Sequence, residues 1–303
     1  MEQQELVRIG YFADGPWAHR ALEKITSDDS KRIEFICARY DRPDQILKEM
    51  AKSRNIPFLT HPKINSKDFL SQVQAYGCDL FVSMSFNQIF RKELIEMPAF
   101  KTINCHAGKL PFYRGRNILN WVLINDEKEF GVTAHFMDEG IDTGDILVQE
   151  CLPISDLDNY RTLLEQAYVL CAEVVYKAID QLQKGLAKPR HQSEIHPVGM
   201  YCCARQEGDE ILNWEQTSRE IFNFVRAICS PGPQARSFLN GIEMQIERVE
   251  LIHESPKYLG IPGVVVGKGL GYFIVKSLDS TVRVTDWNFT NEVRIGDRFK
   301  QHQ

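Results

Sequence analysis

The amino-terminal third repeats one pattern, a short apolar run followed by an amphipathic stretch. The runs are Val7 to Phe12, Arg32 to Ala38, Pro57 to Thr60 and Leu80 to Ser83. Each is long enough for a buried strand and too short for a helix. Between them, helix spacing recurs at Ala18, Ala21, Leu22 and Ile25. It recurs again after Asp44, a plausible N-cap for a helix reaching about Arg54, and after Ser66, with Phe69, Leu70 and Val73 on one face. Strand-helix alternation of this kind predicts an α/β fold, a Rossmann-like, mostly parallel sheet covered on both sides. Ligands on such sheets bind beyond the carboxyl ends of the strands. Three segments should meet at that edge: Gly15-Pro16-Trp17, Ser83 to Phe90, and the strand Thr102 to His106. No glycine-rich dinucleotide fingerprint follows the first strand, which argues against a nicotinamide cofactor.

At 303 residues the chain suits two domains. A long helix over about Tyr160 to Lys184 is followed by Gly185 to Pro197, which reads as a linker. The expected division is 1–190 and 200–303. The second part opens with an amphipathic helix carrying Ile221, Phe224, Val225 and Ile228, broken at Pro231-Gly232-Pro233. Short strand candidates follow at 235–238, 244–251, 263–266, 272–275 and 282–285, separated by turn residues. They suggest a small β-rich, OB-like domain.

Eight scattered cysteines with no Cys-x-x-Cys pair point to free thiols in a reducing cytoplasm rather than a disulfide framework. The start, Met1-Glu2-Gln3-Gln4-Glu5, is acidic and unlike a signal peptide, and no run has the length of a membrane span. Net charge is −5 and the part from Tyr201 to Lys300 lacks a dense basic stripe, which argues against a nucleic-acid binder.

The chemistry concentrates in residues 102–146. On a strand, Asn104 and His106 share a face, about 6–7 Å apart. A carboxamide and an imidazole aimed at one point suit a developing oxyanion. Leu110-Pro111-Phe112-Tyr113-Arg114-Gly115-Arg116 follows as a turn. A strand over Gly131 to Met137 then runs into the loop Asp138-Glu139-Gly140-Ile141-Asp142-Thr143-Gly144-Asp145. His191 and His196 have a zinc-finger-like gap, but no cysteine pair precedes them. These two, with His19, His61, His135, His253 and His302, read as structural or solvated, and no metal is expected.

Taken in order, Asn-x-His, Leu-Pro-x-Tyr-Arg-Gly, Gly-Val-Thr and Asp-x-Gly-x-Asp-Thr-Gly-Asp resemble the formyltransferase family that uses 10-formyltetrahydrofolate. That resemblance implies that a primary amine attacks the formyl carbon. Asn104 and protonated His106 would stabilise the tetrahedral oxyanion, with Asp142 beside the imidazole raising its pKa. It also places folate contacts at Gln88, Ile89 and Phe90, at Asp138, Glu139, Gly140 and Ile141, and at Arg116. Trp17 either packs on the sheet or walls the acceptor pocket. Arg114 either holds the turn or touches a ligand. The family usually has Ser-Leu where this chain has Gly108-Lys109, and Lys109 either faces acceptor phosphates or projects into water.

For the acceptor, methionyl-tRNA formyltransferases carry a basic Gly/Arg/Lys loop after the second strand. Here Tyr40-Asp41-Arg42-Pro43-Asp44 runs straight into a helix. The chain shares more with the formyltransferase domain that modifies UDP-4-amino-4-deoxyarabinose, in Arg114-Gly115-Arg116, Leu119 to Leu123 and Ile211 to Trp214. The resemblance therefore implies an N-formyltransferase acting on a UDP- or dTDP-linked amino-deoxysugar in glycan biosynthesis. No nucleic-acid or membrane partner is expected, and a homodimer stays open. The alternatives are a methionyl-tRNA formyltransferase with a shortened loop and a folate-binding or formyl-hydrolysing relative.

Overall fold

A computed structural model describes residues 6–257 and 259–300. The acidic segment 1–5 and His302 lie outside the described residues. Two compact units emerge. The first comprises Met1–Arg116, Phe130–Leu152 and Glu165–Cys202, and the second Asn117–Glu129, Pro153–Leu164 and Cys203–Gln303.

In the first unit the chain runs β1 (Val7–Ala13), α1 (Gly15–Thr26), β2 (Lys31–Ala38), α2 (Gln45–Ser53), β3 (Phe58–Thr60), α3 (Lys67–Gln74), β4 (Leu80–Met84), α4 (Lys92–Ile95), β5 (Thr102–His106) and the short β6 (Arg114–Gly115). After α5 (Ile118–Ile124), which belongs to the second unit, come β7 (Glu129–Phe136), β8 (Ile146–Pro153), α6 (Tyr160–Gln183) and β9 (Tyr201–Cys202). Seven strands form one sheet in the order β3-β2-β1-β4-β5-β7-β8. The pairs β1–β2, β1–β4, β2–β3 and β4–β5 are parallel, whereas β5–β7 is antiparallel. The architecture is α/β with a mostly parallel, Rossmann-like sheet.

The interior strand β1 is almost wholly buried, as apolar residues on both faces require of a covered parallel sheet. Phe12 anchors one face. Its ring meets Phe35, Phe69, Phe81, Phe86 and Phe90 edge-on, with centroids 4.9–6.3 Å away. Edge-to-face rings pair the positive rim of one with the negative face of the next. Gly10 lets this cluster close, since a Cβ there would sit 2.6 Å from both Phe35 and Phe81. Asp44 caps α2 by accepting from the Leu47 N–H at 2.9 Å. Ser66 stands before α3, but its side chain makes no capping bond.

The segment expected as a linker is tied down. Arg190 and Ile146 exchange both backbone hydrogen bonds, at 2.8 and 2.9 Å. A short 3-10 turn covers Gln192–Glu194, and Gln192 is buried.

The second unit is an antiparallel sheet preceded by α7 (Ser218–Ile228). Its strands are β10 (Ala235–Leu239), β11 (Ile242–Leu251), β12 (Val265–Gly269), β13 (Tyr272–Lys276), β14 (Thr281–Asn288) and β15 (Phe299–Lys300), in the order β12-β13-β14-β11-β10-β15. Thr217 and Glu220 form a reciprocal capping box that starts α7. Trp214, Phe273 and Phe299 stack in the core, with centroids 5.4 and 5.8 Å apart. Among the described residues, no helix is long and apolar enough to cross a membrane, and all eight cysteines are free thiols.

Phe12→Ala should destabilise the protein by about 3–5 kcal/mol, because it removes the hub of the aromatic cluster and leaves a cavity. Chemical denaturation followed by circular dichroism would measure this. A loss below about 1 kcal/mol would mean that the cluster collapses around the gap.

Candidate active site

The site begins with alternation on β5. Cys105 points into the core, where its thiol meets the Cys171 carbonyl of α6. Asn104 and His106 therefore face the other way. Asp142 comes to them from the loop after β7, through a local turn. There Asp138 accepts from the Gly140 N–H at 3.0 Å and the Thr143 hydroxyl at 2.5 Å. Asp142 itself adopts a left-handed backbone, φ 55°.

Asp142 is the hub. One carboxylate oxygen accepts from the Gly115 N–H at 2.9 Å and lies 3.6 Å from His106 Nδ1. The other lies 3.5 Å from Asn104 Nδ2 and 3.5 Å from His135 Nε2. His135 sits opposite Asn104 in the β5–β7 register and is buried. Its Nε2 is 3.2 Å from Asn104 Nδ2.

Backbone carbonyls fix both imidazoles. His106 Nε2 is 2.7 Å from the Tyr113 carbonyl, and His135 Nδ1 is 2.7 Å from the Phe136 carbonyl. A carbonyl only accepts, so each of those nitrogens carries the proton. The opposite nitrogens then turn toward Asp142. Since Asp142 can only accept, the Asn104 atom facing it is the amide nitrogen. The Asn104 amide nitrogen thus has two acceptors in reach, Asp142 Oδ1 at 3.5 Å and the unprotonated His135 Nε2 at 3.2 Å.

Burial pushes the His106 pKa below its ordinary value, with His135 adding to the fall. Asp142 and the Tyr113 carbonyl only partly offset this. The imidazolium expected from the neighbouring carboxylate is thus not the resting state, because desolvation outweighs the ion pair. Burial also opposes ionisation of Asp142. The His135 contact, the charge response of both histidines and the Gly115 N–H overcome it and hold the carboxyl at about 2.

Gly108 explains the departure from Ser-Leu after the histidine. A Cβ at Gly108 would fall 2.4 Å from both His106 Nε2 and the Tyr113 carbonyl. A side chain there would force the His106 ring or the Tyr113 carbonyl to shift. Lys109 is exposed.

The remaining candidates are spread more widely. The Gln88 side chain bonds the His61 carbonyl at 2.7 Å and the Ile64 N–H at 3.2 Å. The Phe90 ring is in the core, and the exposed Ile89 has its carbonyl engaged by Asn65 at 2.8 Å. Asp138, Glu139, Gly140, Ile141 and Arg116 are exposed. Trp17 packs edge-on against Tyr168, centroids 4.6 Å apart. Arg114 gives its guanidinium to Gln192, at 2.6 and 3.1 Å.

Sequence reasoning missed His135 and Gln192. For His135 a signal existed: Thr133 and His135 share a face of β7 by alternation, and both are polar on a buried strand. Gln192 gave none, lying in a stretch with no periodicity.

The formyl transferase profile matches residues 9–178, and the formyl transferase C-terminal domain profile matches 205–300. The chain belongs to the formyltransferase family. A methionyl-tRNA formyltransferase of Thermodesulfovibrio yellowstonii is 33% identical over 285 residues, covering 91% of this chain and 89% of the relative. One from Pelotomaculum thermopropionicum is 31% identical over 268 residues, covering 88% and 83%. In fold, this formyltransferase is similar to the solved N-formyltransferase from Helicobacter canadensis in complex with folinic acid and dTDP-3-aminofucose. The TM-score is 0.70 at 21% identity, covering 93% of this chain and all 100% of the other.

The relatives overturn the expected acceptor. Likeness to the sugar enzyme is one of fold, whereas the tRNA enzymes match in sequence across most of both chains. The nucleotide-sugar reading and the exclusion of nucleic acid do not hold. Net charge is a sum over the whole surface and cannot report a local basic face. A missing insertion removes one way of gripping tRNA, not every way.

Asp142 is depressed in the folded state, so its ionisation stabilises the fold above the ordinary carboxylate pKa. That contribution is lost as pH falls from about 4 to about 2. Asp142→Asn should be less stable than the parent at pH 7, by about 2 kcal/mol. The gap should close as pH falls through that window in urea titrations. A gap constant with pH would mean that Asp142 is not held ionised by its neighbours.

Proposed function

We propose that this formyltransferase moves the formyl group of 10-formyltetrahydrofolate to the α-amine of methionyl-tRNA. The observation that carries the acceptor is the match to methionyl-tRNA formyltransferases over about nine-tenths of the chain. The Asn104, His106 and Asp142 cluster supplies the chemistry. The folate donor is supported by the family and by folate-complexed enzymes of the same fold.

The amine nitrogen attacks the formyl carbon and a C–N bond forms. The carbonyl electron pair moves to oxygen, and the Asn104 amide donates to that oxyanion. The attacking amine must lose a proton. His106, neutral at rest, takes it, and Asp142 and the Tyr113 carbonyl then hold the imidazolium. Return of the proton to N10 of the folate lets the C–N10 bond break. Formyl-methionyl-tRNA and tetrahydrofolate leave.

Burial makes the low pKa of His106 useful, since a base must be unprotonated before it can act. Protonation as pH falls should remove activity, giving an acid limb below the ordinary histidine value of about 6.5. A limb above that value would show that the imidazolium is the resting form.

Mass-resolved assays with 10-formyltetrahydrofolate should show one formyl added to Met-charged initiator tRNA and none to UDP- or dTDP-amino-deoxysugars. Phosphate contacts should make tRNA binding weaken as salt rises. Asn104→Ala and His106→Ala should each cut kcat by about a hundredfold to a thousandfold with the fold intact. Formylation of a sugar nucleotide with Met-tRNA untouched would overturn the acceptor, and near-full rate in His106→Ala would overturn the mechanism.

A further inference from the structure

The left-handed backbone at Asp142 costs about 1–3 kcal/mol and persists only if its surroundings enforce it. Tyr113, whose carbonyl engages His106, is left-handed too, φ 55°. The two strained residues on which His106 depends lie in different loops, and something must clamp both.

Gln192 meets both loops. It is only 2% exposed. Its amide nitrogen donates to the Asp142 carbonyl at 2.9 Å and the Gly144 carbonyl at 2.8 Å. Its oxygen accepts from Arg114 Nε at 3.1 Å and Nη2 at 2.6 Å. The two carbonyls and the guanidinium leave no other orientation for the amide. Both donors are used and the oxygen takes two, so the side chain is fully satisfied.

Arg114 is held from the same segment. Its N–H bonds the Met200 carbonyl at 3.0 Å, and β6 pairs with β9 through Arg114–Tyr201 and Gly115–Cys202. The guanidinium lies 5.4 Å from the Tyr201 ring centroid. Gly199 makes room for it, because a Cβ there would be 2.4 Å from Arg114 Cζ. Pairing of Gly115 with Cys202 sets the N–H that binds the Asp142 carboxylate.

We propose that Gln192, in the 190–202 strap, is a positioning residue for formyl transfer. It sets the Asp142 loop against the Tyr113-Arg114-Gly115 turn, so that the carboxylate meets His106. The inference rests on the reading of Asp142 as the group that supports His106. Gln192 touches no reacting atom and acts by setting where Asp142 stands against that turn.

The test is a double-mutant cycle. Gln192→Met keeps the volume and removes all four bonds. In the otherwise intact enzyme it should cut kcat by about tenfold to a hundredfold, as a misplaced catalytic group does, with little change in KM for the folate. In the Asp142→Asn background it should cost less than about threefold more, because its partner is already disabled. Equal losses in both backgrounds, or full activity in Gln192→Met, would overturn the proposal. A folding defect alone predicts equal losses, and thermal melts would reveal it.

A second readout needs no acceptor. His106 is faced by Asp142 and His135 as its titratable neighbours and by the Tyr113 carbonyl. Withdrawing the carboxylate should lower the His106 pKa further in an NMR titration of Gln192→Met. An unchanged titration would overturn the proposal. If the parent leaves Met-tRNA unformylated, the acceptor reading fails, and the titration still decides the role of Gln192.

Discussion

A buried carboxylate is costly unless charge and hydrogen bonds compensate it. Asp142 accepts from the Gly115 N–H and faces the Asn104 amide, with His106 on β5 and His135 on β7 beside it. Those partners come from stretches far apart in sequence. The sheet must bring β5 beside β7, the turn after β5 must close over His106, and the loop after β7 must reverse sharply enough to return Asp142 to the pair. Each demand has a visible local cost. Gly108 gives up its side chain, and Tyr113 and Asp142 take left-handed backbones.

The same burial sets the protonation states. A carboxylate beside an imidazole favours the imidazolium in water. At His106, loss of water is the larger effect, and the ring stays neutral. The carboxylate then matters most after a proton arrives. In the proposed reaction, an ion pair weak at rest and strong once His106 is charged would stabilise the state in which charge develops, which is where binding energy accelerates a reaction.

Much of this was legible early. Period-two alternation put Asn104 and His106 on one face, and the Asp-Gly loop announced a tight reversal near Asp142. Strand-helix alternation gave the sheet, and a long stretch rich in Leu, Ala and Val gave α6. Local rules reach only local neighbours, however. His135 looked like any buried polar residue until the β5–β7 register set it opposite Asn104. Gln192 lay in an apparent linker, and β15, at two residues, was too short to carry a pattern. The acceptor was misjudged for a similar reason, since a total charge and a missing loop say nothing about where the remaining charges converge.

By itself, then, the sequence determined the layers, the strand carrying Asn104 and His106, and the candidate side chains of the site, because periodicity and turn chemistry act over a few residues. Only the tertiary structure decided that His106 is neutral, that His135 shares its carboxylate, and that Gln192 clamps two strained loops. Desolvation and hydrogen-bond geometry depend on atoms brought together from positions 104 to 192, and no window of sequence contains them all.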